Sequence, residues 1–250
     1  MSTYKNLQLK KSFGQHYLHD KSYCERIAQE ILQLPLKEIV EVGAGAGAIT
    51  TYLLKDTSIR YTGIELDIEK YDYLKKHFPN TNFVQEDFLK YHIDSEILLC
   101  GNYPYNISGP ILFKTLENKE HIPYMVGMFQ KEVAQRVVAA HNSKTYGILS
   151  VLVQCFYNTK LLFDIPPGAF TPPPKVMSSL IRLERNENPY EIHDFNKFKV
   201  LVKTAFNQRR KTMHNSLKGM QLNLPDAYSK LRPEQISPEQ FAHLYHQLYS

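Results

Sequence analysis

Gly101-Asn102-Tyr103-Pro104-Tyr105-Asn106 gathers an amide, a proline-fixed backbone and an aromatic face into one short run. That set suits an exocyclic adenine amine, a poor nucleophile because its lone pair is delocalised into the ring. Such a nitrogen needs acceptors for its hydrogens more than a strong base. The Asn102 amide oxygen and the Pro104 carbonyl can accept them, since proline fixes the local backbone. Tyr105 offers a face on which an extruded base can stack. Catalysis there would rest on proximity, orientation and electrostatics. The competing reading is a rigid turn with a half-buried tyrosine.

A second constellation precedes it. Ile39-Val40-Glu41-Val42 reads as a short buried strand, and Gly43, Gly45 and Gly47 follow at alternate positions. Such glycines let a backbone turn tightly and lie close to a ligand. The helix expected after them presents unpaired N–H groups at its start. Gly43, Gly45 and Ala48 satisfy a dinucleotide pattern as well as the three glycines satisfy a methyltransferase one. Glu65, about 20 positions further on, is the acid that a ribose needs in either case. Glu41 tilts the choice, because a carboxylate there would repel a pyrophosphate but suits a ligand with a sulfonium and an amino group. Asp87 could accept from an adenine amino group, with Phe88 packing near the ring.

Other stretches suit a polyanion. Phe170-Thr171-Pro172-Pro173-Pro174-Lys175-Val176 closes a proline-rich loop that loses little entropy when it orders on a substrate. In it Phe170 could stack on the second face of the base and Lys175 could meet a phosphate; a polyproline ligand for a partner module is the alternative. Lys10 and Lys11, followed by aromatics and a glycine, could cover a ligand, touch a phosphate backbone, or form an arm packed on the sheet. Gln208-Arg209-Arg210-Lys211 is the densest cation cluster. Residues 185–250 hold ten Lys/Arg against six Asp/Glu, whereas the first 184 hold 20 against 19. A near-neutral large domain joined to a basic small one suggests that the small one meets a polyanion; a solvated helical face is the alternative.

These residues need a scaffold. Strands are expected at Ile39–Val42, Tyr61–Ile64, Asn82–Gln85, Glu96–Cys100, Tyr124–Phe129, Gly147–Tyr157 and Ser179–Leu183, the sixth of which could equally begin as helix. Helices are expected after Asp20 and over Ile68–Phe78, Pro110–Lys119 and Lys131–Ala140. The alternation predicts an α/β domain over residues 1–184. From Asp194 the apolar positions Phe198, Leu201, Val202, Ala205, Phe206, Met213 and Leu217 keep helical spacing, so residues 185–250 are expected to form a small all-helical domain. No apolar run approaches the roughly 18 residues of a membrane span, and no signal peptide is evident. Cys24, Cys100 and Cys155 are too few and too scattered for a metal site or a disulfide framework. A cytoplasmic protein with no metal and no membrane association is expected.

With these residues in view, the sequence resembles the ribosomal RNA adenine dimethyltransferases, most closely the small-subunit KsgA family, over nearly the whole chain. Phe13-Gly14-Gln15-His16-Tyr17-Leu18 looks like the family's N-terminal motif covering the S-adenosylmethionine site. Glu41 to Gly47, Glu65 with Leu66, Asp87 with Phe88, and Asn102 to Tyr105 match its cofactor and catalytic motifs. Gln130 to Arg136 and Phe170 to Val176 also fit, and Phe206 to Met213 resembles the small-domain signature that separates this branch from the macrolide-resistance enzymes. The resemblance implies a Rossmann-like S-adenosylmethionine-dependent methyltransferase sheet. It also implies dimethylation of two adjacent adenosines in a hairpin near the 3′ end of small-subunit rRNA, on an assembling subunit and with four cofactors used per RNA. A monomer is expected. A large-subunit rRNA methyltransferase of the resistance type and a non-catalytic assembly factor are the alternatives. Ala44, Ala46 and His16 depart mildly from the family pattern.

Overall fold

Asp20 opens the first helix by accepting from the amides of Ser22 (2.9 Å) and Tyr23 (3.4 Å), a side-chain cap for donors that would otherwise be orphaned. The structure is a computed structural model that describes residues 16–187, 190–221 and 223–249. A two-residue strand, β1 (Tyr17–Leu18), precedes this helix, α1 (Lys21–Leu32), which buries Cys24, Ile27, Ala28 and Ile31. There follow β2 (Glu38–Val42), α2 (Thr50–Leu53), β3 (Arg60–Glu65), α3 (Ile68–His77), β4 (Asn82–Gln85), β5 (Leu98–Asn102), α4 (Ser108–Glu117), β6 (Tyr124–Gln130) and α5 (Lys131–Val137). Next come α6 (Ile148–Gln154), β7 (Tyr157–Ile165), β8 (Phe170–Thr171) and β9 (Ser178–Arg185). The helices α7 (Phe195–Asn207), α8 (Met213–Leu217), α9 (Asp226–Ser229) and α10 (Pro238–Tyr249) complete the described chain.

Seven strands form one sheet in the order β4-β3-β2-β5-β6-β9-β7. The first five are parallel, and β9 runs antiparallel to β6. The inner strands are near-continuous apolar runs because helices cover both faces of such a sheet: Ile39, Leu98, Leu99, Val126 and Met128 are all buried. The order reverses between β2 and β5, which opens a crevice beyond their carboxyl ends. This is the α/β sheet that the alternation of elements predicted, in the Rossmann-like form that the resemblance implied.

One expected strand, Gly147–Tyr157, begins as helix, the alternative left open for it. Residues Ile148 to Gln154 are the helix α6, and the strand starts only at Tyr157 and extends to Ile165. An unbroken apolar run has no period by which to tell a buried helix from a buried strand. The alternation that does mark a strand begins at Tyr157.

The chain forms two compact units, and the second takes residues 135–159 as well as 185–250. The sequence placed the earlier segment in the large domain. Its aromatics explain the difference. The Tyr146 ring meets Phe206 edge-on, its hydroxyl donates to the Ile236 carbonyl at 2.8 Å, and Phe156 packs edge-on against Phe195 and Phe198. The expected stripe of α7 is the buried one, comprising Phe198, Leu201, Val202, Ala205 and Phe206. No helix among the described residues is long and apolar enough to cross a membrane.

Candidate cofactor and catalytic site

The register of the sheet brings the two sequence constellations together. Glu41 on β2 lies opposite Cys100 on β5, so the glycine turn and Asn102 leave adjacent strand ends at the reversal point. Gly43, Gly45 and Gly47 have φ of +71°, +60° and +77°, a region that side chains disfavour. The Gly43 amide continues the ladder by donating to the Ile64 carbonyl at 2.8 Å. A side chain on Gly47 would run into the Phe78 ring, with its Cβ at 2.6 Å. Gly47 therefore serves packing, while Gly43 and Gly45 line the crevice.

Glu65 closes the turn from the neighbouring strand. One of its carboxylate oxygens accepts from the Gly45 amide and the other from the Asp67 amide, each at 2.9 Å. It is buried, and burial raises its pKa against the pull of those amides and of Lys70. Each oxygen keeps a lone pair for a further donor.

Glu41 does not face the crevice. It is 1 % exposed, and one carboxylate oxygen accepts from Thr50 Oγ1 (2.7 Å) and the Tyr61 hydroxyl (2.6 Å). Burial pushes its pKa up to about 7 despite those bonds. The expectation that Glu41 meets the ligand's cationic end is thus corrected: its side chain fastens the strand to the helix behind the turn.

Asn102 donates its amide to the His16 carbonyl at 2.9 Å. The His16 ring packs 5.4 Å from the Tyr105 ring, and its Nδ1 lies 2.7 Å from the Pro172 carbonyl. The Tyr105 hydroxyl is held by Ser178 Oγ at 2.6 Å. The Pro104 carbonyl accepts from the Ile107 amide at 3.1 Å and retains one lone pair. His16, Tyr17, Gly43, Gly45, Glu65, Asn102 and Tyr105 line one cavity, and a second of about 270 Å³ shares Gly43, Glu65 and Pro104 with it. Leu66, Phe88, Leu89 and Ile107 give the second apolar faces beside four acids, Glu65, Asp67, Glu86 and Asp87.

Two expected site residues lie elsewhere. Leu18 and Phe170 are 1 % and 2 % exposed and belong to the hydrophobic core. They pair across the antiparallel β1–β8 ladder, and the strand period of two turns both inward while Thr171 stays exposed. Phe170 therefore offers no open face to a base. Gln15, Lys10 and Lys11 lie outside the described residues. Sequence reasoning missed Tyr17 and Lys70 as lining residues. Tyr17 stood inside the N-terminal motif, whereas nothing in an ordinary helical pattern marked Lys70, whose burial beside Asp67 (3.6 Å) is tertiary. No metal-binding group of His, Cys, Asp and Glu occurs among the described residues.

Of the expected RNA contacts, Lys175, Arg210 and Lys211 are exposed. Arg209 instead pairs with Glu234 at 2.6 Å and donates to the Ser143 carbonyl at 3.2 Å, so it is a brace within the second unit.

A glycine turn, an acid on the next strand and an Asn-x-Pro-Tyr run at the reversal point of a Rossmann-like sheet define an S-adenosylmethionine-dependent methyltransferase. A sequence model of the family described as ribosomal RNA adenine dimethylase matches residues 6–246. The chain belongs to that family and is an enzyme of its kind. It is 44 % identical over 250 residues to ribosomal RNA small subunit methyltransferase A of Bacteroides fragilis, covering 96 % of this chain and 92 % of that one. To the protein of the same name in Flavobacterium johnsoniae it is 44 % identical, covering 94 % of each. Among solved structures, a dimethyladenosine transferase from Plasmodium falciparum shares the fold, with a TM-score of 0.80 at 23 % identity over 92 % of this chain and 96 % of that one.

Proposed function

We propose that the enzyme methylates the N6 amines of two adjacent adenosines in a hairpin near the 3′ end of small-subunit ribosomal RNA. Each becomes N6,N6-dimethyladenosine during assembly of the subunit. The observation that carries the reading is the placement of Asn102 to Tyr105 beside the glycine turn, lining a cavity that shares Gly43, Glu65 and Pro104 with a second one. The relatives named for the small-subunit RNA support the choice of substrate.

The residues present fit S-adenosylmethionine. Gly43 and Gly45 have no side chain to block a close approach, Glu65 keeps lone pairs for ribose hydroxyls, and Leu66, Phe88 and Ile107 suit an adenine ring with Asp87 near its amino group. When bound, the cofactor supplies a methyl group made electrophilic by the sulfonium. Asn102 Oδ1 and the Pro104 carbonyl accept the hydrogens of the target amine, and the Tyr105 ring, fixed by Ser178, stacks on the base. As the N–C bond forms, the methyl–sulfur bond would break with its electron pair left on sulfur, the leaving group would be S-adenosylhomocysteine, and one amine proton would leave to solvent. Exposed Lys175, Arg210 and Lys211 meet phosphates, and Lys10 and Lys11 would add to them. The protein works in the cytoplasm as a monomer on the small subunit.

Mass spectrometry of RNA after incubation with labelled S-adenosylmethionine tests this, with unmethylated small subunits, large subunits and DNA offered in parallel. Dimethyladenosine confined to one small-subunit hairpin is expected. Label in large-subunit RNA would move the substrate, and RNA binding without label would leave an assembly factor.

A further inference from the structure

Lys114 is a half-buried cation on α4 that no motif marks. Its ammonium donates to the Tyr91 carbonyl at 2.6 Å and to the Leu89 carbonyl at 3.1 Å, and it stands 5.2 Å from the centroid of the Phe88 ring. All three contacts fall on the turn that walls the second cavity with Glu86, Asp87, Phe88 and Leu89. We propose that Lys114 is a positioning residue for this wall, fastening it to the helix that grows out of the catalytic segment.

The turn's own bonds run from the Leu89 amide to Asp87 Oδ1 (2.9 Å), from the Lys90 and Tyr91 amides to the Asp87 carbonyl (2.8 and 3.1 Å) and from the Tyr91 amide to the Phe88 carbonyl (3.1 Å), and the Glu86 amide donates to the Glu65 carbonyl (3.2 Å). These engage the carbonyls of Asp87 and Phe88, whereas the carbonyls of Leu89 and Tyr91 are tied down by Lys114. Bonds from an ammonium are charge-assisted and roughly twice as strong as neutral ones, and the cation over Phe88 adds attraction to the ring face. Another part of the wall, Asn106 and Ile107, leads directly into α4. One rigid helix therefore carries one part of the wall and grips another, which fixes the gap between them. Burial lowers the Lys114 pKa, opposed by the charges of Asp87, Glu86 and Glu117.

The inference rests on the reading that this cavity takes the adenine ring. Calorimetry with S-adenosylmethionine and with methylthioadenosine, which keeps the adenosine and lacks the amino-acid end, tests it on Lys114→Met, Lys114→Gln and Lys114→Arg. Both ligands should bind about tenfold more weakly to Lys114→Met, the scale of one lost charge-assisted bond, with partial recovery in Lys114→Arg. Turnover at saturating cofactor and KM for RNA should stay within about threefold of the parent. Amide exchange should quicken over residues 86–91 and not in α4, which a general loss of stability would not produce. Unchanged affinities in the folded Met and Gln variants would overturn the proposal. So would failure of both to fold, because Lys114 would then serve stability. Asp87→Ala separates the two readings: if it leaves methylthioadenosine binding intact, the adenine assignment fails whatever Lys114 does.

Discussion

The side-chain amide of Asn102 donates to the main-chain carbonyl of His16 at 2.9 Å, joining positions 86 residues apart in sequence. The bond uses the donor half of the amide and fixes its plane. The acceptor half is the one the proposed chemistry requires. His16 also packs on Tyr105 and reaches Pro172, so one residue orders three parts of the site.

Asn102→Ala removes both halves. Turnover should fall by about 10²–10³-fold, the scale for one positioned hydrogen-bonding group, while cofactor affinity weakens only several-fold through the loosened His16. Single-turnover methylation beside calorimetry separates the two effects. Full activity would end the assignment of Asn102.

Glu65→Ala leaves the Gly45 and Asp67 amides without their acceptor. Cofactor binding should weaken by about 10–100-fold, since charge-assisted bonds of this kind are the stronger class, and the melting temperature should drop with it. An unchanged dissociation constant would remove Glu65 from the ribose site.

Glu41 makes stability depend on pH. Its pKa lies at about 7 in the folded protein against an ordinary 4.5. Between those values the unfolded chain has lost the proton and the folded one still holds it, so stability falls as pH rises. The loss should approach about 3 kcal/mol once pH exceeds the folded value. Urea unfolding of the parent and Glu41→Gln from about pH 5 to about pH 8 should show this slope in the parent alone. Equal slopes would mean that Glu41 ionises at an ordinary pH.

Tyr103, between Asn102 and Pro104, is 1 % exposed, and its hydroxyl has no hydrogen-bond partner among the described residues. A buried polar group without a partner costs stability. Tyr103→Phe should therefore stabilise the fold by about 1 kcal/mol with turnover nearly unchanged. Destabilisation on thermal melting would reveal a partner for the hydroxyl.

Arg209 and its neighbours should part company. Arg209→Ala should cost on the order of 1 kcal/mol, because its pair with Glu234 is half exposed. Arg210→Ala and Lys211→Ala should leave melting unchanged while weakening RNA binding and its salt dependence. Equal effects of all three on RNA alone would return Arg209 to the RNA surface.

Local chemistry made part of this protein legible in the sequence. Alternating glycines permit the positive φ that a tight turn needs, an aspartate before a helix caps it, and α7 shows its buried stripe by period alone. Those signals gave the sheet, the glycine turn, Glu65 and the Asn102 run. Other features depend on which way a side chain turns once strands pair. Glu41 and Phe170 carry the right chemistry at motif positions, yet the pleat directs both inward. The run after Gly147 had no period to read, and its place in the second unit follows from aromatic partners far along the chain. Lys70 and Lys114 lie in ordinary helices, where only packing makes one a cavity wall and the other a clamp on a neighbouring turn. Sequence determined which groups were present and how the segments with a readable period would fold; tertiary structure decided which of them face one another, because burial and pairing are properties of the whole chain.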